Sequence, residues 1–143
     1  MMRATIDTNI LASGAVAREG GTIATIVAAI RSEYFELALS DHILDELART
    51  LVKPYFTYRL SVAELLAYQT MILSYAMIFP VSVQVRGDAT HPEDDLILAT
   101  AVSADAEFLV TGDAQLLKLG NYRGVTILSP RAFLDLLNSE QTG

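Results

Sequence analysis

The sequence predicts an α/β fold with a mostly parallel central sheet and helices on both faces. Short runs of apolar and β-branched residues alternate with stretches in which apolar residues recur at helical spacing. Turn-forming residues follow most of these runs, which is typical of strand ends. The 143 residues, of which 52% are hydrophobic, suffice for one domain with a substantial core. Strands that alternate with helices imply right-handed crossovers between parallel strands.

The first half of the chain contains two predicted strands. Arg3-Ala4-Thr5-Ile6 is a buried strand that ends at Asp7, where Thr8 and Asn9 favour a turn. The second strand is Phe35 to Leu39. Helices are predicted from Ile23 to Arg31, from Ser40-Asp41 to the stop at Pro54, and from Ser61 to Ala76; Ser61 and Glu64 form a capping-box pattern.

The second half continues the alternation. Val81 to Val85 alternates apolar and polar residues, so it is predicted as a strand near an edge, closed by Gly87. The later elements are a helix that starts within His91 to Asp95, a strand over Phe108 to Val110, a short helix over Leu116 to Leu119, a strand over Val125 to Leu128 and a helix that begins at Ser129-Pro130. The domain is predicted to span residues 1–138, and residues 139–143 form a polar, frayed tail.

Charge and composition exclude several classes of protein. Ten Lys and Arg against 17 Asp and Glu give a net charge of −7, which argues against a broad basic face for nucleic acid. The absence of cysteine excludes disulfides, thiolate metal sites and a cysteine nucleophile. We see neither a leader pattern nor an apolar run of about 18 residues, so we expect a soluble, cytoplasmic protein with no membrane contact.

Four acids are predicted to lie near the carboxyl ends of the strands, where open α/β sheets bind their ligands. Asp7 and Asp113 follow apolar strands, Asp94 falls in the first turn of a helix, and Glu46 lies one turn after Ile43. Carboxylates that converge repel one another unless a cation lies among them. Magnesium prefers oxygen ligands, whereas zinc prefers His or Cys. The two histidines, His42 and His91, do not form a ligand pair by spacing.

Each acid also has an ordinary structural interpretation. An acid at a strand end is more often a turn or capping residue than a ligand, and Glu46 alone would be a solvated helix residue. Asp94 is harder to dismiss, because a helical wheel places it within the apolar arc of Ile97, Leu98 and Ala101. Asp95 projects to the margin of that arc.

Taken together, these motifs resemble the PIN-domain nucleases, a family that includes the VapC-type toxins of toxin–antitoxin systems. The residues that carry the resemblance form four segments in the family's order: Ile6-Asp7-Thr8-Asn9-Ile10-Leu11, Ser40 to Leu47 around Glu46, Asp94-Asp95-Leu96-Ile97-Leu98-Ala99-Thr100-Ala101, and Phe108-Leu109-Val110-Thr111-Gly112-Asp113. Lys53 to Met77, with its insertion Tyr55-Phe56-Thr57-Tyr58-Arg59, is most similar to the toxin branch.

The resemblance implies a Rossmann-like three-layer α/β/α PIN domain with about five strands. It also implies hydrolysis of RNA phosphodiester bonds that depends on Mg²⁺ or Mn²⁺. The catalytic residues would be Asp7, Glu46, Asp94 and Asp113. Of these, Asp7, Asp94 and Asp113 would bind the metal, and none is assigned as a lone general base.

Supporting residues and partners follow from the same resemblance. Thr8, Asn9, Asp95 and Thr111 would contact the metal ligands or a phosphate. Because the net charge is −7, RNA binding is expected to be weak and local and to rest on a few Arg or Lys residues at the rim of the cleft, with Arg3 or Arg18 as candidates. The implied partners are an RNA substrate and an antitoxin protein, and self-association is left open.

Other classes of function remain open from the residues alone. One is a PIN scaffold that binds RNA or protein without catalysis. Another is a magnesium-dependent phosphatase of the haloacid-dehalogenase type, although its second acid would fall at Asn9. A receiver-like phospho-acceptor would need a lysine at a late strand end, whereas Lys118 lies in a predicted helix.

Overall fold

The computed structural model describes residues 1–86 and 92–142, without the side chains of Glu93, Gln141 and Thr142. The strands are β1 (Arg3–Ile6), β2 (Glu36–Leu39), β3 (Ala76–Ile78), β4 (Phe108–Val110), β5 (Asn121–Tyr122) and β6 (Val125–Leu128). The helices are α1 (Thr8–Gly14), α2 (Thr22–Arg31), α3 (Asp41–Leu51), α4 (Pro54–Thr57), α5 (Val62–Tyr75), α6 (Pro92–Ser103), α7 (Ala114–Leu119) and α8 (Pro130–Thr142).

The strands form one mostly parallel sheet in the order β3-β2-β1-β4-β6-β5. Only β5 runs antiparallel, against β6, among the strands of the described residues. The chain moves outward from β1 through β2 to β3, then crosses back to β4 on the other side of β1. Right-handed crossovers therefore put α6 on the opposite face from the helices that connect β1 to β3. The predicted α/β class is confirmed.

The core lies between the sheet and these helices. Helix α6 packs against β1, β2 and β4, while α2 packs against α8, which also contacts β6. Phe133 of α8 is fully buried and meets the ring of Phe35 edge to face, with the centroids 5.0 Å apart. Within the described ranges, none of the helices has the length and apolar character needed to span a bilayer.

The predicted strand over Val81 to Val85 is wrong. The third strand is instead Ala76–Ile78, which follows α5 without a loop and pairs with Leu37 to Leu39 of β2. Val85 is buried and Val83 packs on the core from an irregular segment, so their alternation reflects loop packing. Gly87, the predicted end of that strand, lies outside the described residues, as does His91.

Three further features of the fold differ from the sequence prediction. A helix, α1, begins directly after Asp7, where a turn was predicted, because the Asp7 carbonyl accepts from the amides of Ile10 and Leu11. The two-residue strand β5 is too short to leave a periodic pattern. Helix α8 continues through Thr142, beyond Asn138, where a frayed tail was expected. The division of the chain into a domain and a tail at residue 138 stays a prediction.

Candidate active site

The carboxyl ends of β1 and β4 lie side by side at the centre of the sheet. The chain leaves β1 toward β2 on one side, while β4 lies on the other, so these strands flank the point where the connection direction reverses. Such a point opens a crevice beyond the strand ends in α/β folds. Asp7 follows β1 there, and Asp113 follows β4 after Thr111 and Gly112.

Asp7 is the most buried acid of this crevice, with only 5% of its surface exposed. Its backbone amide donates to the carbonyl of Val110 at 2.9 Å, which extends the pairing of β1 with β4 up to the acid. Burial raises the pKa of the Asp7 carboxyl, the hydrogen bond from Thr111 opposes that rise, and the negative charge of Asp113 adds to it. A cation placed here would relieve both the burial and the repulsion.

Thr111 connects the two acids. Its side chain is completely buried, and its hydroxyl donates to Asp7 Oδ2 at 2.7 Å while accepting from the backbone amide of Asp113 at 3.0 Å. The hydroxyl proton is therefore committed to Asp7, and the oxygen orients the start of the next helix. One short side chain thus sets the positions of both carboxylates.

Asp113 has the ordinary role that a strand-end acid often takes. It is the N-cap of α7, and its Oδ1 accepts from the amides of Gln115 at 2.8 Å and Leu116 at 2.9 Å. A helix N-terminus favours a negative charge, so the cap and the charge support each other. The cap fixes the plane of the carboxylate and engages Oδ1 only.

Glu46 reaches the same crevice from α3. The Thr8 hydroxyl donates to Glu46 Oε2 at 3.3 Å, so Glu46 is tied to the residue that follows Asp7. His42, one turn earlier, places its Nε2 3.3 Å from the same oxygen. That nitrogen is buried, and its orientation gives it no hydrogen-bond partner among the described residues. The sequence offered no reason to single out His42, because its spacing from the other histidine was uninformative.

Asp94 and Asp95 lie in the first turn of α6, and both are half-buried. The predicted apolar arc of this helix is real, since Ile97, Leu98 and Ala101 are buried. The preference for Asp94 over Asp95 as the metal ligand stays a prediction.

A buried pair of hydroxyls, Ser40 and Thr100, positions α6, and no sequence pattern indicated this pair. Thr100 donates to the Leu96 carbonyl at 2.8 Å, so Ser40 donates to Thr100 Oγ1 at 2.8 Å. Ser40 is also the N-cap of α3, as predicted. The pair therefore joins the start of the helix that carries Glu46 to the helix that carries Asp94.

The remaining residues that were predicted to contact a phosphate or RNA lie in different parts of the molecule. Asn9 is exposed on the first turn of α1, next to Asp7 and Thr8. Arg3 begins β1, at the end of the strand away from Asp7, where it pairs with Glu36 at 3.0 Å and donates to the Ala104 carbonyl. Arg3 is therefore wrong as a contact at the rim of the crevice. Arg18 is exposed in the loop between α1 and α2.

The donor chemistry matches a hard divalent cation, because carboxylate and hydroxyl oxygens line the crevice. The structure brings Asp7, Asp113 and Glu46 to one edge of the sheet through the Thr111 and Thr8 contacts. Within residues 1–86 and 92–142, however, no three His, Asp or Glu side chains gather as a group that could hold a metal ion. The predicted metal site stays a prediction.

Comparison with known proteins places this arrangement in a family. The sequence pattern of the PIN domain matches residues 3–115, a range that contains all four predicted acids. The chain belongs to the PIN-domain family. PIN domains are generally nucleases, and PIN-domain nucleases generally use divalent metals. The sequence has no match among the curated proteins.

Solved structures share this PIN fold at low sequence identity. VapBC2 from Rickettsia felis, solved bound to a DNA fragment from their promoter, is 16% identical with a TM-score of 0.63; the match covers 90% of this chain and 98% of that one. PAE2754 from Pyrobaculum aerophilum is 20% identical with a TM-score of 0.65; the match covers 96% of this chain and 90% of that one.

Proposed function

We propose that this PIN-domain protein is an endoribonuclease that depends on Mg²⁺ or Mn²⁺ and acts as the toxin of a toxin–antitoxin pair. The observation that carries the proposal is the buried Asp7 carboxylate at the carboxyl ends of the central strands. Thr111 holds this carboxylate by a hydrogen bond, and the charge of Asp113 repels it. A stable fold rarely keeps such repulsion without use, because a buried charge is unfavourable unless a partner compensates it.

Each side chain of the crevice has a distinct role in this proposal. Asp7 and Asp113, with Asp94 from α6, would hold the metal, and Glu46 would complete the acidic edge. Thr111 keeps Asp7 oriented by donating to Oδ2, and Thr8 does the same for Glu46. When bound, the cation supplies a nucleophilic water near neutral pH and neutralises charge on the phosphate.

The toxin assignment rests on similarity. One solved structure that shares the fold is of VapBC2, a complex bound to a DNA fragment from its promoter. By analogy, we propose that an antitoxin protein binds this chain in the cytoplasm and that the chain itself acts on RNA. An overall charge of −7 is consistent with local rather than extended contacts to nucleic acid.

The test is cleavage of a structured RNA by the purified protein with Mg²⁺, with Mn²⁺ or with a chelator. We expect cleavage with either metal and none with the chelator. The Asp7→Asn variant should be inactive in each condition while its circular dichroism matches that of the wild type. Cleavage that survives the chelator would show that the reaction uses no metal.

A catalytically silent PIN scaffold is the second candidate, and one observation favours it. Asp113 Oδ1 is already used to cap α7, and no three acidic or histidine side chains gather at a metal position in the described part of the chain. A scaffold would bind RNA or an antitoxin with unchanged affinity after Asp7→Asn, and it would cleave nothing with any divalent metal.

A further inference from the structure

A second feature at some distance from the acids combines an aromatic ring, arginines and a cavity. Tyr55 of α4 is 55% exposed, although the neighbouring Phe56 is buried in the core. The Arg59 guanidinium lies 3.8 Å from the centroid of the Tyr55 ring and also donates to the Tyr55 carbonyl at 2.6 Å. The edge of Phe56 contacts the same ring, with the centroids 5.0 Å apart. Tyr55 is therefore an exposed aromatic ring that is already held in place.

Tyr55 lines a cavity of about 370 Å³. Its lining includes the end of α1, the following loop, the first turn of α2 and Tyr55 itself: Ser13, Val16, Arg18, Thr22, Ile23 and Tyr55. Val16, Ile23 and Tyr55 make much of this lining apolar, and Arg18 adds a positively charged residue. A planar, weakly polar group next to a negative group would match this lining.

The charges around the ring contrast with those of the whole molecule. The protein carries a net charge of −7, yet Arg18, Lys53 and Arg59 lie in or beside the segments that form the cavity. Glu19 follows Arg18 in sequence but lines the adjacent cavity, where Arg31 also lies. A polyanion that meets an acidic protein would be held at this local group of cations.

We propose that Tyr55, Arg59 and Arg18 form a stacking site for an unpaired base of single-stranded RNA. The ring stacks on the base, Arg59 supports the ring, and Arg18 pairs with a neighbouring phosphate. Aromatic side chains with adjacent arginines are the usual means of binding single strands without sequence preference. We name Tyr55, Arg59 and Arg18 the stacking site. This inference rests on the proposed ribonuclease function and identifies where the substrate strand extends beyond the cleaved bond.

The distance between the two sites is compatible with one strand. Helix α1 starts at Thr8, beside Asp7, and Ser13 near its end lines the cavity. At a rise of about 1.5 Å per residue, Thr8 and Ser13 are about 8 Å apart along the helix axis. A strand whose phosphate lies at the acids would therefore reach the stacking site within a few nucleotides.

The first experiment measures binding without cleavage. The Asp7→Asn protein is titrated, in buffer with chelator, into a fluorescein-labelled oligouridine of about 12 nucleotides, and the anisotropy gives Kd. Adding Tyr55→Ala should weaken binding by about 5- to 100-fold. Tyr55→Phe should retain the affinity because the ring remains. Arg18→Ala should lower the slope of log Kd against log salt by about 0.7.

Matched controls are available in the same chain. Tyr34 is 54% exposed, almost the same as Tyr55, and lines a different cavity between α2 and α8. Tyr58 is 87% exposed and follows α4. Tyr34→Ala and Tyr58→Ala should change Kd by less than about twofold. Circular dichroism of each variant confirms that the fold is intact.

The second experiment separates this proposal from the nuclease proposal. In the otherwise wild-type protein, which retains Asp7, Tyr55→Ala should raise KM for single-stranded RNA and leave kcat unchanged, because the contact is remote from the reacting bond. If the wild type cleaves RNA and Tyr55→Ala cleaves with the same KM, the stacking site is wrong and the nuclease proposal stands. If neither RNA binding nor cleavage occurs in the wild type, both proposals are wrong. If Tyr55→Ala disrupts only the complex with an antitoxin, the surface binds protein and the stacking proposal is overturned.

Discussion

Two regions present their polar groups in opposite ways. One is the carboxyl end of the central strands β1 and β4, here called the sheet edge; the other is the segment from Pro54 to Arg59, here called the α4 segment. At the sheet edge, Asp7 and Thr111 are buried, and strand pairing and a helix cap fix the acids. At α4, Tyr55 and Arg59 are exposed and hold each other through a ring contact. Buried polar groups have few alternative positions, which suits a reaction that tolerates little displacement. Exposed rings tolerate variation, which suits the binding of a flexible strand.

The strongest test of this difference is the Asp7→Asn variant. Removing a full charge from the buried site should lower metal-dependent cleavage by about two orders of magnitude or more, since the cation stabilises the transition state by several kcal/mol. The measurement is kcat/KM on a structured RNA. Asp41→Asn, which changes an exposed acid in the first turn of α3, should leave kcat/KM near the wild-type value. Equal losses in both variants would contradict a special role for the sheet edge.

A second test asks whether an acid of α6 takes part in metal binding beside Asp7. Asp94→Asn should reduce Mn²⁺ affinity and cleavage together, with cleavage falling by about two orders of magnitude. Asp95→Asn should have a smaller effect, because a helix-start acid contributes only about 0.3–1 kcal/mol through the helix dipole. Titration of Mn²⁺ against cleavage rate measures both. An inactive Asp95→Asn beside an active Asp94→Asn would reverse the assignment.

The Thr111→Val variant tests the connection between the two strand-end acids. It keeps the shape of the side chain but leaves the Asp7 carboxylate and the Asp113 amide without their shared partner. We expect cleavage to fall by about 10- to 100-fold, as for other residues that orient metal ligands. Unfolding free energy should drop by about 1–3 kcal/mol, measured by urea denaturation. Thr126→Val is the control, because its hydroxyl accepts an exposed bond from Asn121 at 3.4 Å; a similar loss there would show a general sensitivity to lost hydroxyls.

Metal and pH should change the stability of the sheet edge. The pKa of Asp7 is raised above its ordinary value of 3.8, so the folded state binds the proton more tightly than the unfolded state. Without metal, the Asp7 contribution to stability is fully present below pH 3.8 and is lost as pH rises through the folded pKa. Asp7→Asn should therefore melt at a higher temperature than the wild type at pH 7 in chelator.

Added Mg²⁺ or Mn²⁺ should raise the Tm of the wild type, because the ion binds only the native site. The same addition should leave the Tm of Asp7→Asn nearly unchanged. Thermal scans at several pH values, with metal and with chelator, measure both effects. A wild-type Tm that is independent of metal at millimolar concentrations would contradict a cation at this edge.

The smallest expected effect concerns the α4 segment. Arg59→Gln removes the guanidinium that lies on the Tyr55 ring, and an exposed contact of this kind contributes about 0.5–1 kcal/mol. We expect a loss of that size in unfolding free energy and no change in kcat. Arg131→Gln, which breaks an exposed pair with Asp135, is a matched control for the loss of a surface arginine. A large loss of kcat in Arg59→Gln would remove the distinction between the two regions.

Sequence by itself determined the fold class and the residues at the strand ends. The runs around Thr5, Leu37, Leu109 and Ile127 are β-branched or apolar, and burial on both faces of a parallel sheet requires that pattern. Asp7 was placed at the end of β1 because the apolar run stops there, and the capping residues Ser40 and Ser61 were evident from local chemistry. Such features depend on neighbours within a few residues.

Only the tertiary structure decided which residues meet across the sheet. The strand at Ala76–Ile78 exists because β2 offers an edge there, so the regular alternation of Val81 to Val85 was misleading. The hydrogen bond from Thr111 to Asp7 and the one from Thr8 to Glu46 join residues 104 and 38 positions apart in sequence. Hydrogen bonds between residues far apart in sequence leave no periodic pattern, because they depend on the crossing of chains and not on local propensity.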